Sequence, residues 1–399
     1  MVGGMWLAGA ELALATIGLA PFAIHRLSTG KWAKEEMICP EEESGLGITI
    51  LLPVWNEGLI IEQKLADLAA QKYPASLLII DSASDDDTVT KAENWLNDFP
   101  KAFSSHRIIK MDKRLGKTPA VMLALDELAQ TKGIIVMTDA DAFLEKGAFN
   151  RISRWFSDPT IGAVGGTPNR EGGLASEKSH RNLYTSIRIG ESNHDSTPFL
   201  EGSLLAWRSG SVSSSDMHAT ANADDAQIAT AVRLNGLRSI QDPELFFTDH
   251  MPTTTKGQRR QKVRRAQGLI RLLARKRKHW FSRSEGRFAK ILRRNAFMHL
   301  LSPLAVFAAG VLAILRNITY LPDTDLMGLL SVFEIYMLIS WVLARFGKSP
   351  LGMRTSGAIM VGLENLLLAI ITTSRGKSLH MWQQHSDVRE ELAKKSRSN

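Results

Sequence analysis

The sequence predicts an α/β globular domain built on a parallel sheet, with apolar membrane-crossing helices near both ends of the chain. Three observations lead there. Between Gly47 and Gly268, short apolar runs alternate with amphipathic stretches, the pattern of βαβ units. Met5–Ile24 is an apolar run interrupted only by Glu11 and Pro21, long enough to cross a bilayer. After Arg294 come three more apolar stretches, Ala296–Leu315, Leu326–Ala344 and Ser356–Thr373, the last of which contains Glu364.

Within the globular part, Ile48–Pro53, Leu77–Ile80 and Ile134–Thr138 read as buried strands. Helices are expected over about 59–71, 89–97 and 118–130. Such sheets bind ligands beyond the carboxyl ends of their strands. A chain of 399 residues has room for one domain of about 250 residues plus an accessory part. The apolar share of 44% is ordinary but unevenly spread, with greasy ends and a mixed middle. Cys39 is the only cysteine, which excludes an intramolecular disulfide framework and offers no metal-ligand pattern.

The net charge of +8 is local. From Arg259 to Arg294 fifteen Lys or Arg face one acid, Glu285. This run leads straight into an apolar segment, so it reads as a cytoplasmic flank held near anionic lipids rather than as a nucleic-acid site. Met5–Ile24 has no positive charge before it, and His25, Arg26, Lys31 and Lys34 after it. That is an uncleaved anchor with its carboxyl side in the cytoplasm, not a cleaved signal. The expected divisions are an anchor (1–30), a globular domain (47–270), a basic juxtamembrane segment (271–295), apolar helices (296–375) and a basic polar tail (376–399). If all three C-terminal stretches cross, the basic tail ends outside, against the positive-inside tendency. Ser356–Thr373 is therefore also read as re-entrant or interfacial.

Polar clusters follow the strands. Pro53-Val-Trp-Asn56-Glu57 closes the first, and Asp81 to Thr88 closes the second. Turn and capping chemistry alone accounts for either cluster, with Ser84 or Asp85 as the helix cap. Asp81, coming directly off its strand, reads as free to meet a ligand. Asp139 and Asp141 follow the third strand; at i and i+2 of an extended segment they face one way and suit Mg²⁺ or Mn²⁺. Asp224 and Asp225 open a later helix, where the dipole explains one carboxylate and leaves the other for general-base work. Gln261, Arg264 and Arg265 begin the basic run. They read either as juxtamembrane charge or as guanidiniums for a leaving diphosphate.

In this order the clusters resemble the family 2 glycosyltransferases of GT-A fold, over about Ile48 to Gly268. Pro53, Asn56 and Glu57 match the family's opening segment. Asp81 resembles its base-reading aspartate, although Ser82 stands where a second aspartate is usual. Arg114-Leu-Gly116-Lys117 resembles a basic Gly-Lys segment, and Asp139 and Asp141 fall on the metal motif. Gly202 and Ser203, in a segment ending at Arg208, resemble the acceptor side, and Asp225 the general base. Pro243-Glu244, Pro252-Thr253 and Gln261-Lys-Val-Arg264-Arg265 continue the series. The anchor and the apolar helices suit the membrane-bound branch. Arg265 stands where processive synthases carry a tryptophan.

The resemblance implies an inverting transfer from a nucleotide-diphosphate sugar, UDP-linked first and GDP-linked second, to a lipid-linked or membrane-proximal acceptor. It implies Asp225 as base, Asp139 and Asp141 on the cation, and Asp81 with Pro53–Glu57 on the nucleoside. Lys117, Arg264 and Arg265 would lie toward the diphosphate, and one sugar rather than a polymer is expected. Anionic membrane lipids are the expected surroundings and nucleic acid is not a partner. The enzyme is expected at the cell membrane, multi-pass, with its catalytic domain cytoplasmic. Polymer synthesis, nucleotidyl transfer and a non-catalytic membrane scaffold are the competing classes.

Overall fold

A computed structural model describes residues 2–35, 37–171, 175–250, 255–320, 325–377, 389–390 and 392–393. In chain order the elements are α1 (Val2–Trp32), β1 (Ile48–Val54), α2 (Ile61–Ala69), β2 (Ala75–Asp81) and α3 (Thr88–Asp98). Next come β3 (Ser105–Lys110), α4 (Lys117–Glu127), β4 (Ile134–Thr138), β5 (Ala142–Leu144), α5 (Ala148–Trp155), β6 (Ile161–Glu171) and α6 (Ala175–His194). Then follow β7 (Leu204–Arg208), α7 (Asp224–Leu234), β8 (Arg238–His250), α8 (Thr255–Arg275) and α9 (Gly286–Ala296). The last are α10 (Ser302–Thr319), α11 (Asp325–Arg345) and α12 (Arg354–Ser374).

The chain divides into two bodies. One holds residues 32–172, 188–261 and the described part of the tail; the other holds 1–31, 173–187 and 262–377. Residues 173–187 and 262–270 thus group with the apolar helices, although the sequence reading put them in the globular domain.

The first body is a sheet of eight strands in the order β3-β2-β1-β4-β7-β6-β8-β5. β3, β2, β1 and β4 run parallel; β1, β2 and β4 are the expected strands, and β3 is not among them. β7 then pairs antiparallel to both β4 and β6, and β5 antiparallel to β8, so the sheet as a whole is mixed. Alternate side chains of β1 enter two cores. Ile50, Leu52 and Val54 pack with α2, α3 and α5, while Leu51 packs with α4 and α7. β3, with an exposed pattern, and β6 to β8 carry no apolar alternation clear enough to read beforehand.

The second body is helical. Among the described residues, four helices are long and apolar enough to cross a membrane: Gly3–Trp32, Gly286–Thr319, Met327–Arg345 and Leu351–Ser374. Between α9 and α10, Phe297–Leu301 forms a π-helical turn. Residues 321–324, between α10 and α11, lie outside the described residues.

Charges within this body are paired. Arg316 Nε donates to Glu11 at 3.0 Å and its other arm reaches Glu334, joining α10 to α1 and α11. α12 packs against α11. Ser356 meets Tyr336 at 3.1 Å, and two turns later Glu364 still faces Trp341 at 2.9 Å and Arg345 at 3.2 Å. Farther along, Gln267 of α8 donates to Thr372 at 2.7 Å. A cavity of about 380 Å³ opens among these helices, lined mainly by apolar side chains such as Phe22 and Leu363, with Arg26, Tyr184 and His299 at its polar points.

Candidate active site

In register, Val54 pairs with Asp81 and Leu51 with Met137, so β1, β2 and β4 end side by side. The strand order reverses between β1 and β4, which is where an open α/β sheet leaves a ligand crevice.

The loops after β1 and β2 are tied into one unit. Asn56 N donates to Ser84 Oγ at 2.9 Å, and Asp85 N donates back to Asn56 Oδ1 at 3.0 Å. Glu57 N donates to Thr88 Oγ1 at 2.7 Å, and Gly58 N to Asp86 Oδ2 at 3.0 Å. Asn56 and Ala83 take left-handed φ of 55° and 58° to make these reciprocal turns. Trp55 extends from the same loop and carries the Arg114 guanidinium 3.4 Å from its ring centre.

Two expectations are corrected here. Asp81 is not free: it is 3% exposed, and its carboxylate accepts Ser84 N at 3.1 Å and Ser84 Oγ at 2.5 Å. Nor do Ser84 or Asp85 cap the helix. α3 starts at Thr88, whose N–H goes to Asp86 at 3.0 Å, because Asn56 has already engaged both residues. Ser82 Oγ, in the place of the family's second aspartate, is buried without a hydrogen-bond partner.

Asp139 and Asp141 do not continue β4 as an extended pair. The strand ends at Thr138, and a turn closed by Ala142 N on Asp139 O buries Ala140 between them. The same-face argument therefore fails, and each carboxylate meets its own cation. Lys117 Nζ, at the start of α4, is 2.5 Å from Asp139 Oδ1, and Ser203 Oγ is 3.3 Å from Asp139 Oδ2. Arg389 Nη1, from the tail, is 2.8 Å from Asp141 Oδ2. Under the turn, Lys64 is fully buried and donates to Thr138 Oγ1 at 3.0 Å and to Ala142 O, with Asp67 3.3 Å away. Burial lowers its pKa against the pull of Asp67.

Lys117 also lies 3.5 Å from Asp224, which opens α7 beside Asp225. Burial opposes its charge, but Asp139, Asp224 and Asp225 outweigh that and raise its pKa. A methyl group added at Gly202 would sit 3.3 Å from Asp225 Oδ2 and 3.4 Å from Lys117 Nζ. Gly202, Ser203, Lys117, Asp139, Asp224 and Asp225 thus converge. Glu57 is 1% exposed; burial pushes its carboxyl up to about 7 against the bidentate hold of Arg389.

Arg208 is not part of this group. It pairs in register with Ile134 at the entry of β4, the opposite sheet edge, and donates to the carbonyls of Phe156, Asp158 and Ile161. Glu244 pairs with Arg151 at 2.9 Å beside the buried Asp242. Gln261, Arg264 and Arg265 lie on α8; Gln261 groups with the sheet, whereas Arg264 and Arg265 belong to the helical body. Pro252 and Thr253 lie outside the described residues.

Among the described residues no three His, Cys, Asp or Glu side chains make a closed metal site. Two hard-oxygen carboxylates with open positions fit a cation that shares its shell with a ligand's oxygens. Sequence reading missed Lys64, the Trp55–Arg114 stack and Arg389. Only Lys64 left a signal, a lysine on the stripe of Ile61, Leu65 and Leu68.

Comparison with known proteins agrees with this geometry. The model of glycosyl transferase family 2 matches residues 49–210, and that of glycosyl transferase family group 2 matches residues 134–346, more than half the chain. The chain belongs to the family 2 glycosyltransferases. It is 29% identical over 170 residues to the O-antigen chain rhamnosyltransferase RfbN of Salmonella typhimurium, covering 40% of this chain and 52% of that protein. Over 241 residues it is 25% identical to the poly-β-1,6-N-acetyl-D-glucosamine synthase of Staphylococcus aureus, covering 57% and 56%. The chain spans about half the length of these relatives. The mannosyltransferase PcManGT from Pyrobaculum calidifontis, solved with GDP-Man and Mn²⁺, shares the fold with a TM-score of 0.76. It covers 93% of this chain and 100% of its own at 23% identity. The sheet body has the GT-A fold.

Proposed function

We propose that the protein transfers a single sugar, with inversion, from a nucleoside-diphosphate donor to a lipid-linked or membrane-proximal hydroxyl or phosphate. The observation that carries this reading is the convergence of Asp225 with Gly202, Lys117 and Asp139 at the switch point of the sheet. It sets a carboxylate suited to a base beside the carboxylates suited to a cation, and neither nucleotidyl transfer nor a scaffold requires such a pairing.

In this reading Asp225 accepts the acceptor's proton, or steadies an already ionised phosphate, as the acceptor oxygen attacks the anomeric carbon. The bond from that carbon to the diphosphate breaks on the opposite face, and nucleoside diphosphate leaves. Held by Asp139 and Asp141, Mg²⁺ or Mn²⁺ would supply charge neutralisation on the departing diphosphate. Lys117 adds a fixed positive charge there, and Asp224 orients Lys117. Pro53, Asn56, Glu57 and Asp81, braced by Ser84, form the nucleoside wall, with the Trp55–Arg114 stack at its rim. Gln261, Arg264 and Arg265 are proposed on the acceptor or diphosphate side.

A lipid acceptor is supported by the cavity in the helical body, apolar with Arg26 as its cation. Polymer synthesis is the second reading, favoured by the synthase among the relatives. A panel of UDP- and GDP-sugars given to membranes containing the protein tests the proposal. Release of nucleoside diphosphate is expected; release of pyrophosphate would point to nucleotidyl transfer, and no donor binding to a scaffold.

A further inference from the structure

The mechanism above leaves Arg389 without a task, yet it commits all three of its nitrogens to carboxylates. It is 4% exposed and makes a fork-to-fork contact with Glu57, Nε to Oε2 at 2.9 Å and Nη2 to Oε1 at 2.8 Å. Its remaining nitrogen holds Asp141 at 2.8 Å. Three positions on, Leu392 is 5% exposed and packs with Ile60, Ala140 and Phe143, residues of the same two loops. One side chain thus neutralises the site's carboxylates while the other anchors the segment on apolar ground beside them.

We propose that the tail residues Arg389 and Leu392 form a latch that competes with the divalent cation for Asp141. The inference rests on the reading that Asp139 and Asp141 take that cation. An oxygen engaged by a guanidinium at hydrogen-bond distance is unavailable as an inner ligand, so a cation that takes Asp141 Oδ2, or both oxygens, requires Arg389 to release it. Glu57 offers it a place to remain: the bidentate contact uses the other two nitrogens and need not break. The cation is admitted only when the tail yields, which couples the far end of the chain to the state of the donor site.

Mn²⁺ binding to the full-length protein in detergent, followed by electron paramagnetic resonance of the free ion, tests this without turnover. Arg389→Gln should tighten Mn²⁺ binding about tenfold, the scale of one charge-assisted hydrogen bond. Leu392→Ser, which leaves every charge in place, should tighten it in the same direction because it loosens the anchor. Asp141→Asn should abolish binding in all backgrounds. If Asp141→Asn abolishes binding but neither tail variant strengthens it, or Arg389→Gln weakens it, the latch is overturned and the metal reading stands. Retention of Mn²⁺ by Asp141→Asn would overturn both.

Discussion

At the scale of single residues, the site separates carboxylates by what opposes them. Asp139 and Asp141 are each held by a cation, Lys117 and Arg389, whereas Asp224 shares Lys117 and Asp225 packs against Gly202. Asp225→Asn keeps the shape of the start of α7 but removes its proton affinity near neutral pH. Its rate should fall by about 10²–10⁴, with donor affinity by calorimetry largely kept. Asp224→Asn should cost less, since it only loosens Lys117; the opposite ranking would move the base by one residue. Asp141→Ala should eliminate Mg²⁺- or Mn²⁺-supported turnover while circular dichroism stays native. Full turnover in excess chelator would remove the metal from the mechanism.

At the scale of elements, the turn between β4 and β5 is what aims the carboxylates of Asp139 and Asp141, and Lys64 of α2 holds it from below. A lysine with no exposure is tolerated because Asp67, Thr138 and a carbonyl satisfy its ammonium. Lys64→Met should lower stability by about 3–5 kcal/mol, the usual penalty for stranding one partner of a buried pair. A thermal melt reads the loss, and adding Asp67→Asn should recover part of it by removing the stranded anion. No recovery would mean that Lys64 acts through the turn alone. The tie between Asn56 and Ser84 works likewise, making two loops move as one.

At the scale of the whole molecule, the packing of Arg389 against Glu57 constrains how the chain meets the membrane. A tail that reaches the sheet lies on the sheet's side, so an even number of crossings must separate them. If α10 and α11 both cross, α12 is expected not to span, the re-entrant or interfacial reading of that segment. Cysteines placed at Ser176, Asp323 and Ser396 in a Cys39→Ser chain should give external labelling at Asp323 only. Labelling at Ser396 from outside would restore a third crossing. Product length is the other whole-molecule property. Arg265 in place of a tryptophan removes a flat apolar face on which sugars of any kind could stack and slide, and its charge suits a fixed anionic group. Mass spectrometry should find one added sugar or very few; a long homopolymer would transfer the case to the synthase reading.

By itself the sequence determined three of the four parallel strands, β1, β2 and β4, the four apolar helices and the order of the chemical clusters. Those depend on periodicity and on residues close in the chain, as with Ile48–Val54 or Asp139 after its buried strand. Family membership was legible for the same reason, since its motifs are local. Only the tertiary structure decided which charges meet. Nothing near Asp141 announces Arg389, which is brought back from the far end of the chain. The apolar face of Leu392 and the buried Glu57 make that return favourable, and both properties exist only after folding. The strands β6 to β8, where β7 is antiparallel to β6 and β8 parallel to it, and the turn that parts Asp139 from Asp141 belong with them: partner strands, not local preference, fix their conformation.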